Sequence, residues 1–347
     1  MKKVLVTGGT GYIGSWVVKD LLDKGHHVKM TVRNKNETSK YKFLEQLAEQ
    51  GPGRLEVFQA NLLDEGSYDD VVKECEGVFH IASPFKLKFK NGKSDFLDPA
   101  LKGTQNVLNA VNKAGTVKKV ILTSSVVAIY GDNQEMKDRG LTEFTEEHFN
   151  TTSTLKNGPY AYSKLKAEKE AWRMQREQKV WDLVTINPSF VMGPLLNPRS
   201  RSGSLGFMKD LLKGKMGPAL PSLNMGYVDV RDISKAHLEA FERSEANGRY
   251  ILSERIMNML ELARMINNMD EFHFKISEKE APRFFLYLFG WMFGLTPTFI
   301  KRNIGIPLSF NNSKSKKDLG IDYIPMEKTI KEMIGSLIEH KIIKISF

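Results

Sequence analysis

The sequence predicts an α/β fold in which helices cover both faces of a doubly wound parallel sheet. The run Lys3–Thr7 (KVLVT) is short and almost entirely apolar, which is typical of a strand buried on both faces. A glycine-rich turn follows it, then helical spacing over residues 13–22 and a second apolar run over 27–33. Together these segments form one strand–helix–strand unit of about 30 residues.

The same alternation continues along the chain. Further strands are expected near residues 55 (LEVFQA), 77 (GVFHIAS) and 119 (KVILTSS), with helices over 68–75 and 100–114. From about Thr185 the composition shifts to loops rich in Pro, Gly and Ser, interleaved with VWDLVTIN and GYVDVRD. We therefore expect a nucleotide-binding domain over 1–190, to which 226–247 return, and a smaller lobe formed by 191–225 and 248–347.

Composition narrows the function classes. A single cysteine, Cys75, among 347 residues excludes an internal disulfide and a cysteine-based zinc site, and we expect no metal. The single cysteine fits a reducing compartment, so a cytoplasmic protein is expected. The opening MKKVLVTGG has no apolar stretch of signal-peptide length, so its first residues are expected to be part of the folded domain. The net charge is +10, but lysine outnumbers arginine more than twofold and is scattered among glutamates, so we expect no nucleic-acid partner.

One uncharged run, residues 284–300 (FFLYLFGWMFGLTPTFI), interrupts this pattern. Its large apolar residues recur at intervals of three and four, which predicts a helix with one strongly apolar face. At 17 residues, with two glycines and a proline inside it, the run is short for a membrane span. The favoured interpretation is a helix that packs internally or walls the substrate cleft, with a membrane-surface contact as the alternative.

The turn after the first strand, TGGTGYIG, predicts a dinucleotide site. Gly8, Gly11 and Gly14 stand between a strand and a helix, where glycines permit a tight turn, close approach of the backbone to a pyrophosphate, and helix–strand packing. The helix N-terminus then offers N–H groups and a positive dipole end to the phosphates.

The end of the second strand selects between the two nicotinamide dinucleotides. A carboxylate there would bind the ribose of NAD, whereas a cation accommodates the 2′-phosphate of NADP. The chain has Arg33 at this place and Lys40 seven residues later, which favours NADP(H) over NAD.

Two overlapping Tyr-x-x-x-Lys pairs occur in PYAYSKLKAEKEAWR. A lysine one turn after a tyrosine can favour the phenolate and lower the tyrosine pKa, which suits an acid or base. The face of Tyr160 and Lys164 continues through Ala167, Ala171 and Met174, whereas that of Tyr162 and Lys166 continues through Lys169, Arg173 and Arg176. We therefore expect Tyr160 and Lys164 to face a pocket.

Two serines, Ser124 and Ser125, end the strand KVILTSS at the edge where open α/β sheets place their ligands. A hydroxyl there can hold a substrate carbonyl, although a serine is also an ordinary strand terminator. The residues themselves leave the choice between the two serines open.

Together these motifs resemble the extended short-chain dehydrogenase/reductase family, and within it the dihydroflavonol reductase and cinnamoyl-CoA reductase-like group, which implies a Rossmann-type fold. The similarity extends over nearly the whole chain: VTGGTGYIG, TVRN with Lys40, GVFHIASPF, DPALKGTQNVL, ILTSSVVAIYG, PYAYSK and INPSFVMGP resemble the group's segments.

The resemblance implies roles for individual residues. Tyr160 would donate the proton, Lys164 would bind the nicotinamide ribose and tune Tyr160, and Ser125, 35 residues before Tyr160, would hold the carbonyl. Implied cofactor contacts are Gly8, Gly11, Tyr12, Ile13, Gly14, Arg33, Lys40, Asn61, Leu62, Ala82, Lys164 and Pro188, and implied substrate contacts are Ser83, Pro84, Phe85 and Tyr130. Two features depart from the group: Asn61 replaces the usual acid near the adenine, and residues 272–306 match poorly.

The resemblance implies NADPH-dependent reduction of a ketone or aldehyde on a small apolar or aromatic substrate, by a monomer or homodimer. A nucleotide-sugar epimerase or dehydratase, a sterol or steroid dehydrogenase and a non-catalytic NADP-sensing protein are the alternatives. The Arg33 turn argues against the first, because such enzymes typically hold NAD, and the retained tyrosine argues against the last.

Overall fold

A computed structural model describes residues 1–83, 90–200 and 202–343 of the chain. A seven-stranded sheet forms the centre of the molecule. Its strands follow the order β3-β2-β1-β4-β5-β6-β9, and every neighbouring pair is parallel. The strands are β1 Lys3–Thr7, β2 His27–Val32, β3 Arg54–Gln59, β4 Gly77–His80, β5 Lys119–Thr123, β6 Asp182–Pro188 and β9 Gly248–Leu252. Three others, β7 Phe190–Met192, β8 Asn224–Asp229 and β10 Arg255–Asn258, form a second sheet.

The helices connect these strands and cover both sheet faces. They are α1 Tyr12–Asp23, α2 Lys42–Gln50, α3 Asp98–Ala114, α4 Gln134–Asp138, α5 Pro159–Arg176, α6 Gly203–Leu212, α7 Val230–Glu242, α8 Met259–Asn267, α9 Arg283–Phe289, α10 Pro297–Asn303, α11 Ser313–Leu319 and α12 Met326–Glu339. Within the described ranges, no helix is both long and apolar enough to cross a membrane.

Alternating side chains of each central strand enter two different cores. Val4 and Val6 of β1 pack with α1 and α7 on one face, whereas Leu5 packs with α3 and α5 on the other. This burial on both faces explains why the strands are continuous apolar runs. The predicted doubly wound parallel sheet is confirmed, and its chain order reverses between β1 and β4, where such sheets bind ligands.

The smaller lobe has its own core and differs from the expected boundaries. The sheet β10-β8-β7 packs with α6, α8 and α12 through Met208, Leu262 and Met333. Strand β9 extends the central sheet although residues from 248 onward were expected in the second lobe. Of the segment 226–247, which was expected to return to the first domain, α7 does pack on the central sheet, whereas β8 joins the small one. The chain therefore crosses between the two sheets more often than composition indicates.

The predicted helix over 68–75 is wrong: this segment forms a series of turns. Tyr68, Val72 and Cys75 are still buried in the core beneath α3, so the apolar spacing correctly marks their burial. Glu74 adopts a left-handed φ of 66°, which a continuous α-helix does not allow. A segment this short gains too few helical hydrogen bonds to override that local backbone.

The apolar run 284–300 is not one helix. It comprises all of α9 after Arg283, a 3₁₀ turn over Gly290–Phe293 and the start of α10, with Gly294 left-handed at φ 74° between the turn and α10. Leu286 and Ile300 pack into a small core with Ala281 and Ile304. Most of the other large side chains are exposed, so the expectation that the run packs internally is wrong for them.

Candidate active site

The glycine loop closes tightly at the end of β1. Gly8 is left-handed with φ 73°, and a Cβ there would lie 2.8 Å from the Ala82 backbone. The Gly11 N–H donates to the Gly8 carbonyl oxygen at 3.0 Å. A Cβ on Gly14 would overlap that same carbonyl, so the helix can start here only with glycine.

Helix α1 begins directly after this loop, with Gly11 at its N-cap. Among the described residues, no side chain caps its first N–H groups and no acid lies in its first turn, so these groups can receive an anion. The Tyr12 hydroxyl donates to the Gly193 carbonyl oxygen at 2.5 Å, which directs its ring toward the second lobe. Ile13 packs between the two main cores. Tyr12 and Ile13 can therefore serve a phosphate through their backbone rather than their side chains.

Arg33 and Lys40 are both exposed beyond β2, where a 2′-phosphate would be bound. Lys40 pairs with Glu37, an acid of this loop that lies four residues after Arg33. A further cation, Arg199, donates to the Ser39 hydroxyl from the second lobe. The loop and Arg199 therefore present four cations, Arg33, Lys35, Lys40 and Arg199, beside one carboxylate. Arg199 has no local signal in the sequence because it lies 160 positions away from Ser39.

Asn61 follows β3 and is exposed, with its side-chain oxygen accepting from the Leu63 N–H at 3.2 Å. The adjoining loop is held by Asn106 of α3, whose amide donates to the carbonyl oxygens of Leu62 at 3.2 Å and Asp64 at 2.7 Å. Leu62 lines a small cavity beside α5. These hydrogen bonds hold the backbone at Asn61 and Leu62 in place at the edge of the sheet.

The end of β4 is joined to β1 through a buried histidine. His80 Nδ1 lies 2.9 Å from the Thr7 hydroxyl, which also accepts from the Ala82 N–H at 3.1 Å. Burial, with a smaller effect from the Lys164 charge, lowers the pKa of His80 to about 3, so the ring is neutral at physiological pH. Ala82 and Ser83 line the small cavity, whereas Pro84 and Phe85 lie outside the described residues.

Helix α5 presents its two tyrosine–lysine pairs to different surroundings. Lys164, Ala167, Ala171 and Met174 are buried, whereas Lys169, Arg173 and Arg176 are exposed, which confirms the predicted division into an inner and an outer face. The Lys166 ammonium lies 5.2 Å from the centre of the Tyr162 ring, so this second pair interacts with itself at the surface.

The Lys164 ammonium joins α5 to the end of β5. It donates to the Thr123 carbonyl oxygen at 3.2 Å, two residues before Ser125. Burial lowers the pKa of Lys164 to about 8, and the Glu168 carboxylate opposes this effect. The small cavity beside it is lined by Leu62, His80, Ala82, Ser83, Ala100, Thr104, Leu122, Thr123, Ser124, Lys164, Ala167 and Glu168.

Tyr160 lies one turn before Lys164, half-buried, with its ring packed edge-on against Phe96 at a centroid distance of 6.1 Å. Burial raises the pKa of Tyr160 to about 12. The direction is opposite to the expected lowering by Lys164, because burial removes the water that would hydrate the phenolate. The phenol therefore keeps its proton at physiological pH, as a proton donor must.

The two serines after β5 have different partners. Ser124 is buried and its hydroxyl donates to Glu168. Ser125 is only half-buried, and its hydroxyl lies 3.4 Å from the carbonyl oxygen of Pro188, the last residue of β6. The structure thus supports Ser125 as the serine available to a ligand and explains Ser124 as part of the internal framework.

A buried polar network behind these groups was missed by the sequence analysis. The Arg249 guanidinium donates to Glu168 at 2.5 Å, and the Asn187 amide donates to Glu168 at 2.8 Å and to the Ser125 carbonyl oxygen at 3.1 Å. Glu168 follows Lys164 by one helical turn. The network thereby ties α5, the end of β5, β6 and β9 together around the candidate catalytic residues.

Tyr130 is half-buried and lies four residues after Val126, the first residue of the 3₁₀ turn that follows Ser125. Its ring packs against Phe144 and Phe310, with centroid distances of 5.5 and 5.2 Å. Burial raises the pKa of Tyr130 well above that of a free tyrosine, so its hydroxyl is un-ionised. The ring is therefore held by aromatic packing, and its contact with a substrate stays a prediction.

Residues 4–253 match the model of the NAD dependent epimerase/dehydratase family. The match spans well over half of the chain. The chain belongs to this family. As a member, it is an extended short-chain dehydrogenase/reductase, and the resemblance stated from its motifs is confirmed.

Family members with reductase names resemble the chain over almost its full length. It is 37% identical to a cinnamoyl-CoA reductase of Medicago truncatula over 97% of this chain and 96% of that protein. It is 38% identical to tetraketide alpha-pyrone reductase 2 of Arabidopsis thaliana over 81% and 88%.

Solved structures of the family share the fold. Gre2 of Candida albicans in complex with NADPH is 28% identical, with a TM-score of 0.80 over 98% of this chain and 99% of that one. Vestitone reductase of alfalfa (Medicago sativa) is 25% identical, with a TM-score of 0.73 over 99% and 100%.

Proposed function

We propose that this family member reduces a ketone or aldehyde to an alcohol with NADPH. The observation that carries the proposal is the hydrogen bond from Lys164 to the Thr123 carbonyl oxygen, which fixes the Tyr160–Lys164 face of α5 to the strand end that bears Ser125. The reductases of similar sequence and the Gre2–NADPH complex support the same activity and the same cofactor.

The chain's own residues suit the two ends of the cofactor. The uncapped start of α1 would hold the pyrophosphate, and Arg33 with Lys40 would hold the 2′-phosphate. Lys164 would bind the nicotinamide ribose beside the small cavity, and Pro188, whose carbonyl oxygen lies 3.4 Å from the Ser125 hydroxyl, would contact the nicotinamide. Bound NADPH supplies the hydride that reduces the carbonyl carbon.

Protein groups would act on the carbonyl oxygen. The Ser125 hydroxyl holds this oxygen by donating a hydrogen bond to it. Tyr160 transfers its phenolic proton to the oxygen as negative charge develops there. The resulting phenolate is stabilised by the Lys164 ammonium one turn along the helix. These roles use a tyrosine that is protonated at rest, in agreement with its raised pKa.

The substrate would be a small apolar or aromatic carbonyl compound. Tyr130 and Ser83 are the described candidates for contacts with its body, and the names of the similar reductases include aromatic carbonyl substrates. We also propose a cytoplasmic location and a monomeric or homodimeric state, on the grounds of the single buried thiol and the family resemblance.

A panel of aldehydes and ketones incubated with NADPH tests the activity through loss of nicotinamide absorbance. We expect turnover of one or more aromatic members. Interconversion of a nucleotide sugar without net NADPH consumption would instead support an epimerase or dehydratase. Turnover confined to steroids would support a steroid dehydrogenase, and NADPH binding without turnover of any compound would support a sensing protein.

Arg33→Ala should raise the Michaelis constant for NADPH far more than that for NADH. The reason is that the exposed guanidinium is placed to pair with a 2′-phosphate that NADH lacks. Lys35→Ala, which removes a neighbouring exposed cation, is the control. Equal effects of Arg33→Ala on both cofactors would contradict the assignment.

Reduction should weaken as the pH rises through about 8. The pKa of Lys164 is lowered to about 8, so above this pH the side chain loses the charge that stabilises the Tyr160 phenolate. The measurement is kcat/KM for a substrate without titratable groups between pH 6 and 9.5. In Lys164→Arg the charge persists, so the decline should disappear; the same decline in this variant would assign it to another group.

A further inference from the structure

The small lobe carries a concentrated apolar surface that does not line the small cavity beside Lys164. In the part of the chain that the structure describes, twelve large hydrophobic side chains are exposed, and only Met1, Leu63, Leu155 and Val180 lie elsewhere. The other eight, called here the aromatic patch, are Phe284, Phe285, Tyr287, Leu288, Phe289, Trp291, Met292 and Phe293. Trp291 is the most exposed of them, at 73%. Surfaces of this kind mark interaction sites.

The patch is held firmly from beneath. Leu286, Ile300 and Ile304 fix α9 and α10 to the small lobe. Gly290 is buried, and a Cβ there would approach Leu295 and Ile300 at 3.2 Å, so the 3₁₀ turn packs closely on the same core. The fold therefore presents the outer side chains on a supported surface.

The shape of the patch suits a fluid apolar medium. At 100° per residue, the exposed residues of α9 from Phe284 to Phe289 cover an arc of about 200°, with only Leu286 turned inward. A helix that docks in a protein groove presents a narrower stripe. The seven residues of α9 extend about 10 Å, so this helix is far too short to cross a bilayer and could only lie in its interface.

The charges that flank the patch favour an anionic binding partner. Residues 284–300 carry no charge, and Lys275, Lys279, Arg283 and Lys301 flank them as exposed cations. Two acids lie among these four cations: Glu278, which lies 3.7 Å from Arg264 and accepts from Asn267 at 2.7 Å, and the exposed Glu280. A second copy of this +10 chain would bring like charges together, whereas an anionic lipid surface attracts them.

We propose that the aromatic patch inserts into the interface of an anionic lipid bilayer and binds the protein to the membrane surface. Tyr287 and Trp291 would lie at headgroup level, where aromatic side chains with one polar atom are favoured. The flanking lysines would contact lipid phosphates. This binding is independent of the proposed reductase chemistry and is measured without substrate or cofactor.

Flotation of the full chain with vesicles tests the proposal, using phosphatidylcholine alone and phosphatidylcholine with 30% phosphatidylserine. We expect binding to the anionic vesicles that weakens with salt. The double substitution Phe285→Ser/Trp291→Ser should lower the partition coefficient about tenfold or more, from the lost apolar burial. Val180→Ser, which alters a comparably exposed side chain outside the patch, should leave it unchanged.

A second measurement locates the contact. Brominated lipids should quench the fluorescence of the protein, and Trp291→Phe should abolish that quenching while binding persists, because the other tryptophans at 16, 172 and 181 lie outside the patch. Absence of vesicle binding by the folded protein would overturn the proposal. Loss of a dimer in the double variant, with vesicle binding intact, would assign the patch to a second copy. Altered substrate-size preference with vesicle binding intact would assign it to the cleft.

Discussion

Replacing Tyr160 with Phe should lower kcat about 10²- to 10⁴-fold, the usual size of the loss when a general acid is removed. Phe preserves the edge-on contact with Phe96 and deletes only the hydroxyl that carries the proton. Cofactor affinity, measured by NADPH fluorescence, should change little, since Lys164 keeps its bond to the Thr123 carbonyl oxygen.

The chain provides a matched control for this substitution two residues along the same helix. Tyr162→Phe removes an identical hydroxyl from the outer face, where the ring contacts Lys166. Its kcat should stay within about twofold of the unmodified protein. If Tyr162→Phe were damaging and Tyr160→Phe harmless, the assignment of the inner face to catalysis would be wrong.

Replacing Glu168 with Ala should lower the free energy of unfolding more than any other substitution proposed here. The Glu168 side chain is fully buried, and Arg249, Asn187 and Ser124 all donate to it. Glu168→Ala leaves the buried guanidinium without its counter-charge, a change that costs about 3–5 kcal/mol in comparable cases. The free energy of unfolding in urea is the measurement.

Helix α5 also supplies the control for this experiment. Arg173 pairs with Glu170 and Glu177 on the exposed face, where water screens the charges. Arg173→Ala should therefore leave the unfolding curve nearly unchanged. Similar losses for Glu168→Ala and Arg173→Ala would show that burial does not set the strength of the Glu168 network.

Local patterns in the sequence determined much of the fold and the choice of candidate residues. The apolar runs of β1 and β5 reflect strands covered on both faces, and the stripe from Lys164 to Met174 reflects the inner face of α5. The glycines at 8 and 14 mark places where a side chain would overlap the backbone. These features can be predicted from the sequence because burial and backbone contact act within a single element, where they follow the side-chain period of that helix or strand.

Only the tertiary structure decided the remaining features, because each depends on segments distant in the chain. Arg249 reaches Glu168 across 81 positions, and β9 joins the central sheet after the chain has passed through the small one. The pKa of Tyr160 rises because the surrounding fold excludes water from the phenol. The four-residue spacing to Lys164 gives no information about this burial. The apolar run 284–300 depends on tertiary structure in the same way. Its hydrophobic side chains favour burial, but whether they are buried depends on whether another part of the fold packs against them.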